Sequence, residues 1–183
     1  MIILASGSER RKEILKNLGY RFKVVPSSYT EDSHLHSSPE KLAVHHARGK
    51  ALDVAHKHSG TILAFDTFVA HKNKIIGKPR DSEDAVRILK ELSGTTHDVI
   101  TGFCIIHKGK TYTDSETTKV RFRNISRQEI LDYVSSEEVL DKAGAYAIQS
   151  RAYRFVEEIK GDYYNVVGFP VFMFIKYINK LKI

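Results

Sequence analysis

The sequence predicts an α/β fold, a mixed sheet flanked by helices. Three observations predict it. Residues 2–5 (Ile-Ile-Leu-Ala) and 61–65 (Thr-Ile-Leu-Ala-Phe) are short apolar runs, the pattern of strands buried on both faces. Helical periodicities follow each run, at Ile14, Leu15 and Leu18 and again at Ala85, Ile88, Leu89 and Leu92. Residues 99–106 and 111–122 are strand-like and joined by the turn His107-Lys-Gly-Lys110, which predicts an antiparallel pair.

The first element is a strand that small residues, Ser6-Gly7-Ser8, break into a helix. Ser8 is placed to cap it and Gly19 to stop it. Arg10, Arg11 and Lys12 crowd its first turn. Cations there face the positive end of the helix dipole, at about 0.3–1 kcal/mol each when exposed. A bound anion would offset this, because free N–H groups at a helix start favour phosphate. A solvated basic face is the alternative.

Residues 20–26 alternate as a short strand. Residues 27–38 form a polar, turn-rich loop containing Glu31-Asp32, by itself an ordinary surface loop. Ser38-Pro39 then starts a helix, a capping Ser before Pro at its first position, running to about His58. Its apolar stripe is Ala43, Ala47, Ala51 and Val54, and Lys50 falls on that stripe. An inward Lys needs a partner or a wet cleft, unless it snorkels to the surface.

The second buried run ends in Asp66-Thr67, a carboxylate where α/β folds place ligands and catalytic groups. A turn or helix-cap Asp is the alternative, but Phe68-Val69-Ala70 does not look like a helix start. Lys72-Asn73-Lys74 reads as a hairpin tip, and Ile75-Ile76 returns into Gly77-Lys78-Pro79, which holds Lys78 between a permissive and a rigid residue.

Ser82–Leu92 is a helix closed by Ser93-Gly94. Ser126-Arg-Gln-Glu129 is a capping box opening another. Residues 143–149, Ala-Gly-Ala-Tyr-Ala-Ile-Gln, combine small residues with a terminal amide, suited to close approach to a ligand base or to a well-packed loop. Residues 155–159 are strand-like, and Gly168-Phe-Pro170 leads into a closing amphipathic helix.

Composition bounds the rest. The 183 residues, 42% hydrophobic and 28% charged, suffice for one domain with a real core, taken as 1–183. A net charge of +7 suits an anionic partner. The basic residues are scattered and no aromatic-interleaved basic motif occurs, so nucleic acid is not expected as a partner. The single Cys104, in an apolar run, reads as a buried, inert thiol of a reducing compartment. No run has transmembrane length and the N-terminus lacks signal-peptide character, so no membrane association and a cytoplasmic location are expected.

Six motifs then stand in order: Leu-Ala-Ser-Gly-Ser-Glu-Arg-Arg (4–11), Asp-Thr-Phe-Val (66–69), Gly-Lys-Pro (77–79), Leu-Ser-Gly (92–94), Asp-Lys-Ala-Gly-Ala-Tyr-Ala-Ile-Gln (141–149) and Val-Val-Gly-Phe-Pro (166–170). In order and spacing the chain resembles the Maf family of nucleoside triphosphate pyrophosphatases over nearly its whole length. The resemblance implies a two-lobed α/β fold with a cleft between lobes, related to inosine triphosphate pyrophosphatases. It implies that Asp66 is the proton acceptor, that Ser6, Arg11, Lys50 and Lys78 hold the triphosphate, and that Glu31 is a loop carboxylate near the site and a metal ligand. Asp66 as base and Asp66 as metal ligand are left open. Arg10, Thr67 and Gln149 match positions that separate subfamilies, and Arg, Thr and Gln there are the dTTP/UTP type. A divalent cation, Mg2+ or Mn2+, is the implied cofactor, a nucleoside triphosphate the substrate, and a homodimer the assembly. Three departures stand out. Glu9 replaces a usual Pro, Phe65 a small residue, and Ala147 and Ser150 the glycines flanking Ile148-Gln149. A nucleotide-binding regulator of septum formation with little turnover is the alternative function.

Overall fold

The computed structural model describes residues 1–32, 38–136 and 139–183; residues 33–37 of the expected 27–38 loop lie outside them. The chain opens with β1 (Ile2–Leu4), α1 (Glu9–Asn17) and β2 (Phe22–Val24). It continues through α2 (Pro39–Ala55), β3 (Thr61–His71), β4 (Lys74–Ile76) and α3 (Ser82–Leu92). The long hairpin β5 (Thr96–His107) and β6 (Lys110–Phe122) follows, then α4 (Arg127–Ser136), β7 (Val156–Lys160), α5 (Tyr163–Val167) and α6 (Val171–Leu181).

Local chemistry accounts for most boundaries. Ser38 Oγ accepts from the Lys41 N–H, with Pro39 at the first helical position. Asp81 caps α3 by accepting from Asp84 N–H at 2.8 Å. The capping box forms: Ser126 N–H donates to Glu129 and Glu129 N–H to Ser126. Ser8 stands at the cap of α1 without a side-chain bond to it. α2 stops at Ala55, short of the expected His58. The short α5 was not expected from the sequence; Asp162 caps it and Gly168, at φ +102°, ends it.

Among the described residues the strands form one seven-stranded sheet, ordered β2-β1-β3-β5-β6-β7, with β4 on the far end of β3. β1 is parallel to both its neighbours and every other pair is antiparallel. The sheet is therefore mixed, as expected. α2 covers one face, burying Ala47, Ala51 and Val54 against Ile3, Ile62, Ala64 and Cys104. The other face holds the main core, where Leu4, Leu63, Phe65, Phe103 and Phe122 meet residues of α1, α3, α4 and α6. Burial pushes the Cys104 thiol up to about 12, which leaves it inert. Among the described residues no helix is long and apolar enough to cross a membrane.

Asp66 does not end its strand. β3 runs on to His71 because β5 pairs with it from Ile62↔Ile106 to Ala70↔Asp98. The strand end that matters belongs to β1. β5 takes one edge of β3, so β1, beside residues 61–63, and β4, beside 69–71, share the other. Between them the edge of β3 is open over residues 64–68. This notch holds Asp66 and Thr67. β1 runs into it through Ser6, and β4 runs into it from the opposite side through Gly77 and Lys78.

Candidate active site in the sheet notch

Period-two alternation sends neighbouring residues of β3 to opposite faces. Asp66 faces α2 and Thr67 faces the main core, so the notch is furnished from both sides.

On the α2 side, Lys50 Nζ donates to Asp66 Oδ1 at 2.5 Å and pairs with Glu31 Oε1 at 2.7 Å. The Lys50 side chain is 16% exposed, that of Asp66 9% and that of Glu31 48%, so the cluster runs from a buried floor to an open rim. Lys50 therefore does not snorkel out; two carboxylates hold it in. Asp66 Oδ2 is buried with no hydrogen-bond partner among the described residues. Burial opposes the charge of Glu31, but the Lys50 hydrogen bond and the charges of Lys50, His46 and Lys78 outweigh it and hold its carboxyl below the ordinary range. Lys78, exposed on its loop, thus acts on the same cluster.

The geometry depends on a glycine across the sheet. Gly102 is the register partner of Asp66. A Cβ there would stand 2.1 Å from the Ala43 carbonyl carbon, so the backbone of α2 lies directly on β5. That approach brings Lys50, two turns further along α2, within reach of Asp66.

On the core side, Arg11 gathers the pieces. Its Nε donates to Gly168 O at 2.8 Å, Nη1 to Ser6 Oγ and Phe65 O at 3.1 Å each, and Nη2 to Thr67 Oγ1 at 3.0 Å. Phe65 O is a carbonyl of the open β3 edge, so Arg11 supplies a donor that a neighbouring strand would otherwise provide. Four of its five N–H donors are committed, leaving one on Nη2. The guanidinium also lies 5.6 Å from the Phe65 ring centroid. Burial pushes its pKa down to about 10, against the pull of Asp66, and it stays charged at neutral pH. Thr67 Oγ1 lies 3.0 Å from Thr101 Oγ1, which donates to Asn165 O at 3.3 Å in the unexpected α5.

Arg10 is half-buried; against burial, the hydrogen bond and charge of Lys142 first, and the Arg10 charge last, hold Asp141 below the ordinary carboxylate range, so Arg10 lies within electrostatic range of the segment leading to Gln149. That segment docks on the notch rim, with Gly144 N–H donating to Gly77 O at 3.0 Å. Gln149 is exposed and makes no hydrogen bond among the described residues. The structure thus brings Glu31, Lys50 and Asp66 into one cluster, with Lys78 within electrostatic range of Glu31, and Ser6, Arg11 and Thr67 into a second at the same notch. Arg10 and Gln149 make no hydrogen bond to either among the described residues, though the Arg10 charge acts on Arg11.

Sequence reasoning missed Gly102, Gly168 and the backbone carbonyls that hold Arg11. It also missed Tyr29, His46, Gly49 and Asp53 around the Glu31 segment. A signal for the last group existed. His46, Gly49, Lys50 and Asp53 share one face of α2 at offsets 0, 3, 4 and 7. Among the described residues no three His, Cys, Asp or Glu side chains converge as a metal site. Two concavities lie elsewhere, one of about 130 Å³ around Arg123, Glu129 and Arg151, the other of about 570 Å³ around Met1, His58 and His107. Neither includes a residue of the notch.

The fold is that of a mixed-sheet α/β protein and is shared with the solved Staphylococcus aureus Ham1 protein, which superposes with a TM-score of 0.55 over 98% of both chains, at 13% identity. A family model described as Maf-like protein matches residues 1–181, and the chain belongs to that family. A Pyrococcus furiosus protein named dTTP/UTP pyrophosphatase is 48% identical over 185 residues, covering 99% of this chain and 97% of the relative. A Pyrococcus horikoshii protein of the same name is 51% identical over 172 residues, covering 93% and 91%.

Proposed function

We propose that this chain hydrolyses dTTP and UTP between the α and β phosphates, releasing the nucleoside monophosphate and pyrophosphate. The observation that carries the reading is the Lys50 bridge to Asp66 and Glu31 in a chain whose relatives bear that activity in their names.

The obstacle to the reaction is charge, because water must approach a phosphorus atom surrounded by anionic oxygens. Lys50, Lys78 and the remaining Arg11 donor would neutralise the polyphosphate and align it across the notch. Ser6 would contribute through Arg11, whose guanidinium it orients. Asp66 Oδ2, buried and without a partner, is the atom free to take a proton from water or to ligate a metal.

A divalent cation, Mg2+ or Mn2+, fits Asp66 and Glu31, which offer the hard oxygen donors it prefers. With two carboxylates rather than three, phosphate oxygens and water would complete its shell, the usual manner for Mg2+ at phosphate sites. Bound, it would withdraw charge from the phosphates and acidify the attacking water.

Pyrimidine selection would fall to Arg10, Thr67 and Gln149. Thr67 Oγ1 already joins Arg11 to Thr101, so its share is to fix the floor of the base site. The free amide of Gln149 would read the base edge. We further place the protein in the cytoplasm, as a homodimer of the single domain 1–183, which sedimentation equilibrium tests.

The deciding experiment is a pyrophosphate-release screen over natural and modified triphosphates, with and without Mg2+ or Mn2+. Release from dTTP and UTP above the purine triphosphates is expected. A purine preference would overturn the base assignment. Tight nucleotide binding without release would replace hydrolysis by the regulator reading.

A further inference from the structure

One face of α2 meets the segment 27–31 residue by residue. Asp53 Oδ2 accepts from Ser27 Oγ and from the Ser28 N–H, both at 2.7 Å. Ser28 Oγ adds a bond to Asp53 Oδ1 at 3.1 Å. The Tyr29 ring lies on Gly49, where a Cβ would stand 2.4 Å from a ring carbon. Tyr29 OH is 3.2 Å from Nδ1 of the buried His46, and the two rings lie 5.8 Å apart. Glu31, two residues on, pairs with Lys50. Glycine in a helix interior costs about 1 kcal/mol relative to Ala, so Gly49 needs a reason, and the seat of the Tyr29 ring supplies one. Burial, first, and the nearby Asp32 and Glu31 charges keep the Tyr29 hydroxyl protonated. Burial, against the pull of Asp66 and Glu31, keeps His46 below its ordinary range.

We propose that Tyr29 is a positioning residue: seated on Gly49 and His46, it presents the Glu31 carboxylate to Lys50 and Asp66 before any ligand arrives. The inference rests on the role given to Glu31 above. Its consequence is preorganisation. A loose 27–31 segment would have to be ordered each time a cation or nucleotide binds, and Glu31, half exposed, makes its one ion pair in the notch, among the described residues, with Lys50.

The test measures Mn2+ in two ways: calorimetric titration of the resting protein, and the Mn2+ concentration that half-activates pyrophosphate release. The variants are Glu31→Gln, Tyr29→Ala, Tyr29→Phe, Gly49→Ala and the double variant Tyr29→Ala with Glu31→Gln. Tyr29→Ala and Gly49→Ala should each weaken Mn2+ about tenfold, the scale of losing a group that orients a metal ligand. Tyr29→Phe, which keeps the ring on Gly49, should recover most of that loss. The double variant should bind Mn2+ no worse than Glu31→Gln alone, because Tyr29 acts through Glu31. A folded Tyr29→Ala with the parental Mn2+ constant, or additive losses in the double variant, overturns the inference and leaves the proposed function standing. A parental Mn2+ constant in Glu31→Gln removes Glu31 from the proposed mechanism and the inference with it.

Discussion

Lys50 Nζ lies 2.5 Å from Asp66 Oδ1, across 16 residues of sequence, and the same ammonium reaches Glu31 at 2.7 Å. One cation bridges two carboxylates, and the Lys78 charge also acts on Glu31. Among the described residues Asp66 Oδ2, at the buried end, is an acceptor without a partner. Replacing Asp66 by Asn keeps the shape and removes the proton acceptor and the charge. Asp66→Asn should lower turnover about 10²–10⁴-fold while nucleotide binding persists. Single-turnover assays paired with equilibrium nucleotide binding check this. Near-parental turnover would remove Asp66 from the chemistry.

Arg11 is a fork with acceptors at fixed angles on three other stretches of chain: Ser6, the β3 residues Phe65 and Thr67, and Gly168. A Lys carries the charge without the planar geometry. Arg11→Lys should cost about 2 kcal/mol of stability, the scale of one charged hydrogen-bond set left unmade. Urea unfolding with an unchanged m-value measures it. A loss of activity without a loss of stability would mean that Arg11 serves the phosphates alone.

Gly102 sets the height of α2 above the sheet. In Gly102→Ala the added Cβ meets backbone, the carbonyl of Ala43, which a side-chain rotation cannot relieve. The helix must lift, at about 1–3 kcal/mol or more. Lys50 lifts with it, so turnover should fall in the folded fraction as well. Thermal unfolding and activity per folded molecule separate the two effects. A variant of parental stability and turnover would show that α2 accommodates the methyl group elsewhere.

His97 is buried, with Nε2 2.8 Å from Tyr146 OH and Nδ1 without a partner among the described residues. Burial, first, and the neighbouring His71 push its pKa down to about 3. The folded state therefore refuses a proton that the unfolded chain accepts near pH 6.5. Its contribution is unpenalised above pH 6.5 and is eroded as pH falls from there toward 3. Between pH 7 and 5 the loss should be about 2 kcal/mol. Urea unfolding of the parent and of His97→Gln, compared at the two values, isolates it. Equal losses in both would place the proton elsewhere.

Most of the fold was legible because its signals are local. Apolar runs marked β1 and the first half of β3, and offsets of 3, 4 and 7 marked α3. Ser38-Pro39 and Ser126-Arg-Gln-Glu129 marked two helix starts. The five-residue α5 was not legible. It is too short for a periodicity to show, and what holds it is Asn165, whose Nδ2 donates to Val99 O on a strand 66 residues away.

The sequence by itself determined most of the helices and strands, α5 apart, and which side chains carry charge. These follow from interactions within a few residues, where spacing along the chain is spacing in space. Only the tertiary structure decided that Asp66 lies mid-strand beside a notch, that Thr67 turns to the opposite face, and that Arg11 is tied to four acceptors. It alone showed why residues 49 and 102 are glycine. Each of these depends on where a second element ends or how closely it approaches, and no local pattern encodes that distance.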